Sequence, residues 1–259
     1  MITKNVLLSF GLTLIVGLSM AVGSGLSFFI KRNNKRFLSL ALSFSAGIMI
    51  YVSFMEIYPE GKELIEAQLG EHKGTWIALL GFFGGMLLTA AIEKIVHIFD
   101  GHHHHDHGDH LSKLGLMSAV AIAVHNIPEG LALFTAGLKD ISIAIPIAVA
   151  VVIHNIPLSI AISVPIYYST GNKGKAFTYS LLVGLCQPAG AVIGYLLLSK
   201  FFNDITFGIL FTIVAGIMVF VSLDELLPTS QKYEDHHLSV YSAIVGMIVM
   251  AISLGIFSH

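Results

Sequence analysis

The chain alternates between long apolar stretches and short polar breaks. A helix that spans a bilayer needs about 20 consecutive, mainly apolar residues. Eight stretches reach that length, at 6–30, 37–58, 76–99, 114–138, 141–168, 176–200, 206–227 and 238–258. The breaks carry turn-forming residues, at Asn33-Asn34, Pro59-Glu60-Gly61, the His-rich segment 101–110, Lys139-Asp140, Gly171-Asn172-Lys173-Gly174, Asn203-Asp204 and Pro228-Thr229-Ser230. This pattern predicts an all-α, polytopic membrane protein with eight transmembrane helices.

The composition agrees with a membrane protein. Hydrophobic residues make up 55% of the chain and charged residues 12%, against roughly 25% charged residues in soluble domains. The net charge of -2 does not favour a nucleic-acid partner, and the single cysteine, Cys186, excludes an intrachain disulfide and a Cys-rich zinc module. The first stretch is longer than the roughly 7 to 15 apolar residues of a signal peptide and ends at Lys31-Arg32, so we expect it to be the first span.

The basic residues in the breaks predict an orientation. Eight of them lie on one side, at Lys31, Arg32, Lys35, Arg36, Lys113, Lys173, Lys175 and Lys232. Five lie on the other side with the N-terminus, at Lys4, Lys62, Lys73, Lys139 and Lys200. By the positive-inside rule, the first side is cytoplasmic and both termini are outside.

A polar motif occurs twice in the middle of predicted spans. The sequence HNIPEG begins at His125 in span four, and HNIP returns at His154 in span five. His125 and Glu129 are four residues apart and share a helix face, whereas the adjacent asparagine lies about 100° round the axis. Consecutive spans run in opposite directions, so the two copies form an inverted pair that meets near the midplane, where transporters place their binding sites.

Both motifs contain a proline, which cannot donate a backbone hydrogen bond. The carbonyl oxygens freed by Pro128 and Pro157 are tolerated at this depth only inside protein or beside a cavity. Two imidazoles and a carboxylate suit zinc, and the ligand types do not exclude iron, manganese, nickel or cadmium. The alternative is that these polar side chains only hydrogen-bond one helix to its neighbour.

Four other acidic residues lie near the predicted ends of spans two, three and seven, namely Glu56, Glu93, Asp224 and Glu225. They are candidates for a metal pathway, and the alternative is that they reach the membrane interface. Span six adds Gln187, which precedes Pro188 and follows Leu158 by the same interval that separates the two HNIP motifs. Cys186 is expected to be a small buried thiol rather than a metal ligand.

The repeated motif, with SFMEIYPEG in span two and SLDELLP in span seven, resembles the ZIP (Zrt-, Irt-like) family of divalent metal transporters, most closely its bacterial zinc-uptake branch. The resemblance covers the whole chain. It implies a binuclear metal centre between spans four, five and six, and often a homodimer. It implies one metal site formed by His125, Glu129 and His154, and a neighbouring site with contributions from Asn126, Asn155 and Glu129.

The chain departs from this family pattern at two places. Leu158 and Gln187 stand where the pattern has glutamates. Glu129 alone would then face two dications in a low-dielectric setting, with little compensation for their repulsion. We therefore expect a mononuclear site built on His125, Glu129 and His154, with Gln187 or the asparagines as neutral oxygen donors.

The predicted cytoplasmic loop at 100–113 is rich in histidine, at His102, His103, His104, His105, His107 and His110. Such a tract can bind zinc weakly and buffer or sense cytoplasmic metal. The alternative is a solvated loop with incidental affinity. In either case we expect transport to survive the deletion of residues 101–110.

The sequence favours one transporter domain over residues 1–259 that takes up divalent cations, zinc first, into the cytoplasm across the cell (inner) membrane. The expected partners are divalent metal ions and the lipid bilayer. The chain has no phosphate-binding G-x-x-x-x-G-K-[ST] motif, so uptake would be secondary and not ATP-driven. Metal is the substrate, and neither a cofactor nor an enzymatic activity is expected.

Three other functions remain open at this point. An intramembrane zinc hydrolase would use the same three ligands and a bound water, but no H-E-x-x-H motif is present. A pore for water or small solutes would use the paired Asn-x-Pro elements, which does not explain the histidines. The missing carboxylates would also fit a metal sensor or a degenerate transporter.

Overall fold

The computed structural model describes residues 4–29, 34–100, 110–198, 203–232 and 236–257. Helices account for nearly all of this part of the chain, and it contains no β-strand. The α-helices are α1 Lys4–Ser27, α2 Lys35–Val52, α3 Tyr58–Leu69, α4 Glu71–Asp100, α5 His110–Lys139, α6 Ile141–Thr170, α7 Lys173–Leu198, α8 Asp204–Val221, α9 Leu227–Gln231 and α10 His236–Phe257.

Two π-helical turns join pairs of these helices without a break. Ser53–Ile57 lies between α2 and α3, and Ser222–Leu226 lies between α8 and α9. Within the described ranges, the helices therefore form eight continuous helical rods. Seven are long and apolar enough to cross a membrane, and the 30-residue α5 supplies the remaining predicted span. The predicted all-α, polytopic fold is confirmed.

The two prolines that were predicted to end spans do not end them. Pro59 and Pro228 lie in the first turns of α3 and α9, directly after the π-helical turns. A proline is compatible with a first helical turn, where its missing N–H is not required. The break after α3 comes at Gly70 instead, where a φ of 81° reverses the chain and suits glycine, which has no Cβ.

The His-rich loop is also shorter than predicted. α4 extends to Asp100 and α5 begins at His110, so residues 110–113 are helical. The histidines at 102–105 and 107 lie outside the described residues. His110 is the first residue of α5, and its side chain is likewise outside the description.

A single residue separates α5 from α6. Asp140 adopts an extended conformation and its side chain accepts a hydrogen bond from the Ser142 backbone N–H at 2.8 Å. This N-cap satisfies one of the free donors at the start of α6, and hydrogen bonding from Ser142 lowers the pKa of the Asp140 carboxyl. The short joint forces α6 to run back alongside α5, as the inverted arrangement of the two motifs requires.

Close contacts at glycines bring the helices together. A Cβ added at Gly17 in α1 would collide with the carbonyl oxygen of Gly184 in α7, and one added at Gly184 would collide with that of Gly17. Small residues let membrane helices approach through their backbones. α1, α5, α6 and α7 therefore pack as a tight group around the repeated motif.

Candidate metal centre

Three ligand-type side chains meet inside the α5–α6 pair. His125 and Glu129 are one turn apart on α5, and His154 projects from α6. All three are buried, and one ligand atom from each lies within 4.8 Å of the others. Two imidazoles and a carboxylate match the donor set of zinc sites that keep one coordination position open.

Most polar atoms of this group have no hydrogen-bond partner among the described residues. Both ring nitrogens of His125, both of His154 and Oε1 of Glu129 are buried without a hydrogen bond. Glu129 Oε1 and His154 Nε2 are 3.0 Å apart, which is the distance of an ion pair if the imidazole is protonated. Unpaired buried polar atoms are costly, and a cation bound between them would satisfy them.

The second oxygen of Glu129 is held by Gln187. Gln187 Nε2 donates to Glu129 Oε2 at 2.7 Å, and Gln187 Oε1 accepts from Asn155 Nδ2 at 3.3 Å. The amide oxygen is thus directed at an asparagine. The expected role of Gln187 as an oxygen donor to metal does not match this arrangement, in which its nitrogen fixes the carboxylate.

The two motif asparagines are buried and held by their amide nitrogens. Asn126 Nδ2 donates to the carbonyl oxygen of Val183 at 2.9 Å, and Asn155 Nδ2 donates to that of Val16 at 3.2 Å. Their Oδ1 atoms have no hydrogen-bond partner among the described residues. Each asparagine therefore offers a fixed, neutral oxygen inside the protein.

Helix α1 also contributes to the site, which sequence reasoning missed. Besides the Val16 carbonyl oxygen, it supplies Met20, whose Sδ accepts from Asn126 Nδ2 at 3.3 Å. A second internal repeat was the available signal: VGLSMAVG from Val16 corresponds to VGLCQPAG from Val183. This repeat relates α1 to α7, which flank the α5–α6 pair.

Other residues singled out in the sequence lie elsewhere. Glu56 and the pair Asp224 and Glu225 lie in the π-helical turns, and Glu93 lies in α4, so none belongs to the three-residue group. Leu158 is buried in the apolar core. Cys186 is half-buried with Sγ 3.5 Å from the Leu182 carbonyl oxygen, outside that group.

Comparisons with known proteins found one matching family model and several similar proteins. A family model described as "ZIP Zinc transporter" matches residues 5–116 and 100–254. The protein named "Zinc transporter ZupT" from Streptococcus mutans is 49% identical over 262 residues, covering 98% of this chain and 99% of the relative. The proteins of the same name from Clostridium perfringens and Lysinibacillus sphaericus are 48% identical over 277 residues and 51% identical over 262 residues.

The alignment with the Clostridium perfringens protein covers 98% of this chain and 97% of the relative. The alignment with the Lysinibacillus sphaericus protein covers 96% of this chain and 97% of the relative. The family model and the relatives each extend over nearly the whole chain. The resemblance inferred from the repeated HNIP motif is therefore confirmed, and the chain belongs to the ZIP zinc transporter family.

Proposed function

We propose that this protein is a secondary transporter that carries divalent metal, zinc first, into the cytoplasm through the site between α5, α6 and α7. The observation that carries the proposal is the buried group of His125, Glu129 and His154, in which the four ring nitrogens and Glu129 Oε1 have no hydrogen bond within the part of the chain that the structure describes. Proteins that are 48 to 51% identical to this chain are named zinc transporters. Iron, manganese and cadmium remain candidate substrates on donor type.

The charge of the site supports the binding of one cation at a time. Glu129 is the one carboxylate in the three-residue group, and the positions of the other two family glutamates hold Leu158 and Gln187. A second dication beside the first would meet strong repulsion in this buried setting. We propose that two imidazoles and Glu129 bind the transported ion, with Asn126 and Asn155 as neutral neighbours.

Four carboxylates near the ends of the spans mark the proposed route of the cation to and from the site. Glu56 follows α2 and precedes α3, whereas Asp224 and Glu225 occupy the corresponding place between α8 and α9. With both termini outside the cell membrane, Glu56 lies toward the outer side, and Glu93, Asp224 and Glu225 lie toward the cytoplasm. We propose these carboxylates as transient stations for the cation, in one transporter domain that assembles as a homodimer. The proposal includes no enzymatic step.

Uptake into proteoliposomes tests this function. Purified protein is reconstituted, and zinc accumulation is measured for the wild type, for His125→Ala and for the matched control His72→Ala, which changes an exposed histidine at the start of α4. The expected result is saturable uptake that is lost in His125→Ala and retained in His72→Ala. Folded wild-type protein that retains zinc without transporting it would contradict the proposal and favour a sensor.

A further inference from the structure

Each of the two motif asparagines donates to one backbone carbonyl oxygen and to one side chain. The helices α1 and α7 swap these two roles between Asn126 and Asn155. Asn126 Nδ2 donates to the Val183 carbonyl oxygen on α7 and to Met20 Sδ on α1. Asn155 Nδ2 donates to the Val16 carbonyl oxygen on α1 and to Gln187 Oε1 on α7. A primary amide has two N–H donors, so both donors of each asparagine are used.

The internal repeats show that these contacts correspond. When VGLSMAVG on α1 is aligned with VGLCQPAG on α7, Val16 pairs with Val183 and Met20 with Gln187. Met20 on α1 is therefore the counterpart of Gln187 on α7. The backbone agrees: a Cβ on Gly23 would collide with the carbonyl oxygen of Ile156, and one on Gly190 with that of Ile127.

The counterpart of Glu129 completes the comparison. When HNIPEG is aligned with HNIPLS, Leu158 pairs with Glu129, and Leu158 is 1% exposed. On one side of the site, Gln187 accepts from an asparagine and donates its own N–H to Glu129. At position 20, which corresponds to Gln187, a glutamine would have no carboxylate to receive its N–H, because leucine stands at position 158, which corresponds to Glu129. A methionine sulfur is a weak acceptor without a donor, so it suits a place opposite leucine.

We infer that Met20 is a positioning residue for Asn126. A residue without a donor occupies position 20 because position 158 has no carboxylate, whereas Gln187 has Glu129 as the acceptor of its N–H. This inference rests on the proposed function. Met20 Sδ and the Val183 carbonyl oxygen together fix the amide nitrogen, which leaves Asn126 Oδ1 buried, unpaired among the described residues and in one orientation. Met20 thereby supplies the site with a neutral oxygen donor that does not require a second carboxylate.

A fixed amide oxygen matters more to some cations than to others. Imidazole ligands suit Zn²⁺ and Cd²⁺, whereas Mn²⁺ prefers oxygen donors. His125 and His154 would still hold the softer ions if Asn126 lost its orientation. Met20 is therefore also specificity-determining: it supports Mn²⁺ binding more than Zn²⁺ binding.

The first test measures Zn²⁺ and Mn²⁺ dissociation constants by titration of the purified full-length protein in detergent, with serine in place of the six histidines of the 101–110 segment in every variant so that only the buried site is measured. Met20→Leu keeps an apolar side chain of similar volume and removes the acceptor. The control Met250→Leu makes the same change at a buried methionine on α10. Met20→Leu should weaken Mn²⁺ binding by about tenfold, in the range for residues that orient metal ligands, with a smaller effect on Zn²⁺.

Met250→Leu should bind both ions as the wild type does. Equal losses for the two ions in Met20→Leu, or no loss at all, would overturn the inference. His125→Ala in the same titration separates the two proposals. If His125→Ala abolishes Zn²⁺ binding while Met20→Leu has no effect, the assignment of Met20 fails and the metal site stands. If His125→Ala binds Zn²⁺ normally, the proposed function itself fails.

The second test is a double-mutant cycle that does not depend on Met20→Leu being stable. Met20→Gln creates an N–H donor at the counterpart of Gln187, and Leu158→Glu creates an acceptor at the counterpart of Glu129. Met20→Gln alone should lower the melting temperature by about 5 °C, the order expected for one unpaired buried donor. In the Leu158→Glu background the same change should have little effect. Equal effects in the two backgrounds would show that positions 20 and 158 are not coupled and would overturn the inference.

Discussion

Gln187 and Glu129 form a buried hydrogen bond in which Gln187 Nε2 donates to Glu129 Oε2 at 2.7 Å. The other oxygen of Glu129 faces His154 Nε2 at 3.0 Å, so Gln187 fixes which oxygen is presented to the cation. Gln187→Ala should therefore weaken zinc binding by about 10- to 100-fold, as is usual when a residue that orients a metal ligand is removed. The apparent affinity for zinc in proteoliposome uptake checks this expectation.

Gln68→Ala provides a control for the loss of a glutamine side chain. Gln68 is exposed, and its Nε2 lies 3.3 Å from Asp204 Oδ2, away from the metal site. Uptake by this variant should match the wild type. Unchanged zinc affinity in Gln187→Ala would show that Glu129 does not need the hydrogen bond to bind the ion.

Restoring the two missing carboxylates should change the number of bound metals. We expect the wild-type protein to hold one zinc between α5, α6 and α7, and the double variant Leu158→Glu, Gln187→Glu to hold two. Two added negative charges would offset the repulsion between neighbouring dications. Equilibrium dialysis followed by elemental analysis measures the stoichiometry. Because the His-rich segment also offers metal ligands, both proteins should carry serine in place of its six histidines.

A wild-type stoichiometry of two in this serine background would contradict the mononuclear proposal. Two metals could then be bound with Glu129 as the one glutamate at the site, and the asparagine oxygens would have to compensate for the missing charge.

Gly17 should be intolerant of substitution because its Cα faces the Gly184 carbonyl oxygen. Gly17→Ala forces α1 and α7 apart, and overpacking of this kind costs about 1 to 3 kcal/mol. Gly11→Ala is the matched control on the same helix, since a Cβ there meets no atom within 4 Å. Thermal unfolding in detergent should show a lower midpoint for Gly17→Ala and an unchanged or higher midpoint for Gly11→Ala.

The six histidines of the 101–110 segment are expected to be dispensable for transport. Replacing all of them with serine keeps the length of the connection between α4 and α5 while it removes the metal ligands. Zinc uptake at saturation should change by less than about twofold, since the proposed site is formed by His125, Glu129 and His154 and none of the six histidines belongs to it. A loss of uptake comparable to that of His125→Ala would place the segment on the transport route.

The Asp140 cap predicts an acid-sensitive contribution to stability. Hydrogen bonds from Ser142 lower the pKa of the Asp140 carboxyl, so the ionised form is favoured in the folded protein. This contribution is fully present above the ordinary aspartate pKa of about 4 and disappears as the pH falls through the lowered value. Asp140→Asn keeps a capping oxygen without a titrating group. Melting temperatures measured from pH 7 to 3 should therefore fall less steeply for Asp140→Asn than for the wild type.

The sequence predicted the helical rods and the meeting of three ligand-type residues from local information. Apolar runs of membrane length identify spans without any knowledge of packing, and the four-residue spacing of His125 and Glu129 places both on one helix face. The repeat then brought His154 to the same depth, and in the structure these three residues are the ones that meet.

Met20 and the role of Gln187 were not predicted because they depend on contacts between helices distant in sequence. Met20 lies in an apolar run, where a methionine resembles any other core residue, and only its distance to Asn126 distinguishes it. The span ends near Pro59 and Pro228 were wrong for another reason. A proline after a π-helical turn can begin a helix as readily as it ends one.

Each π-helical turn also shifts the helical phase of the residues that follow it. A π turn accommodates roughly one more residue than an α turn, and one residue corresponds to about 100° of rotation round a helix axis. Side chains of α3 are therefore rotated relative to those of α2, and those of α9 relative to α8. A single 3.6-residue period cannot describe either rod. The apolar positions of α3 therefore do not continue the apolar stripe of α2. Glu56 lies in the π-helical turn where one stripe ends and the other begins.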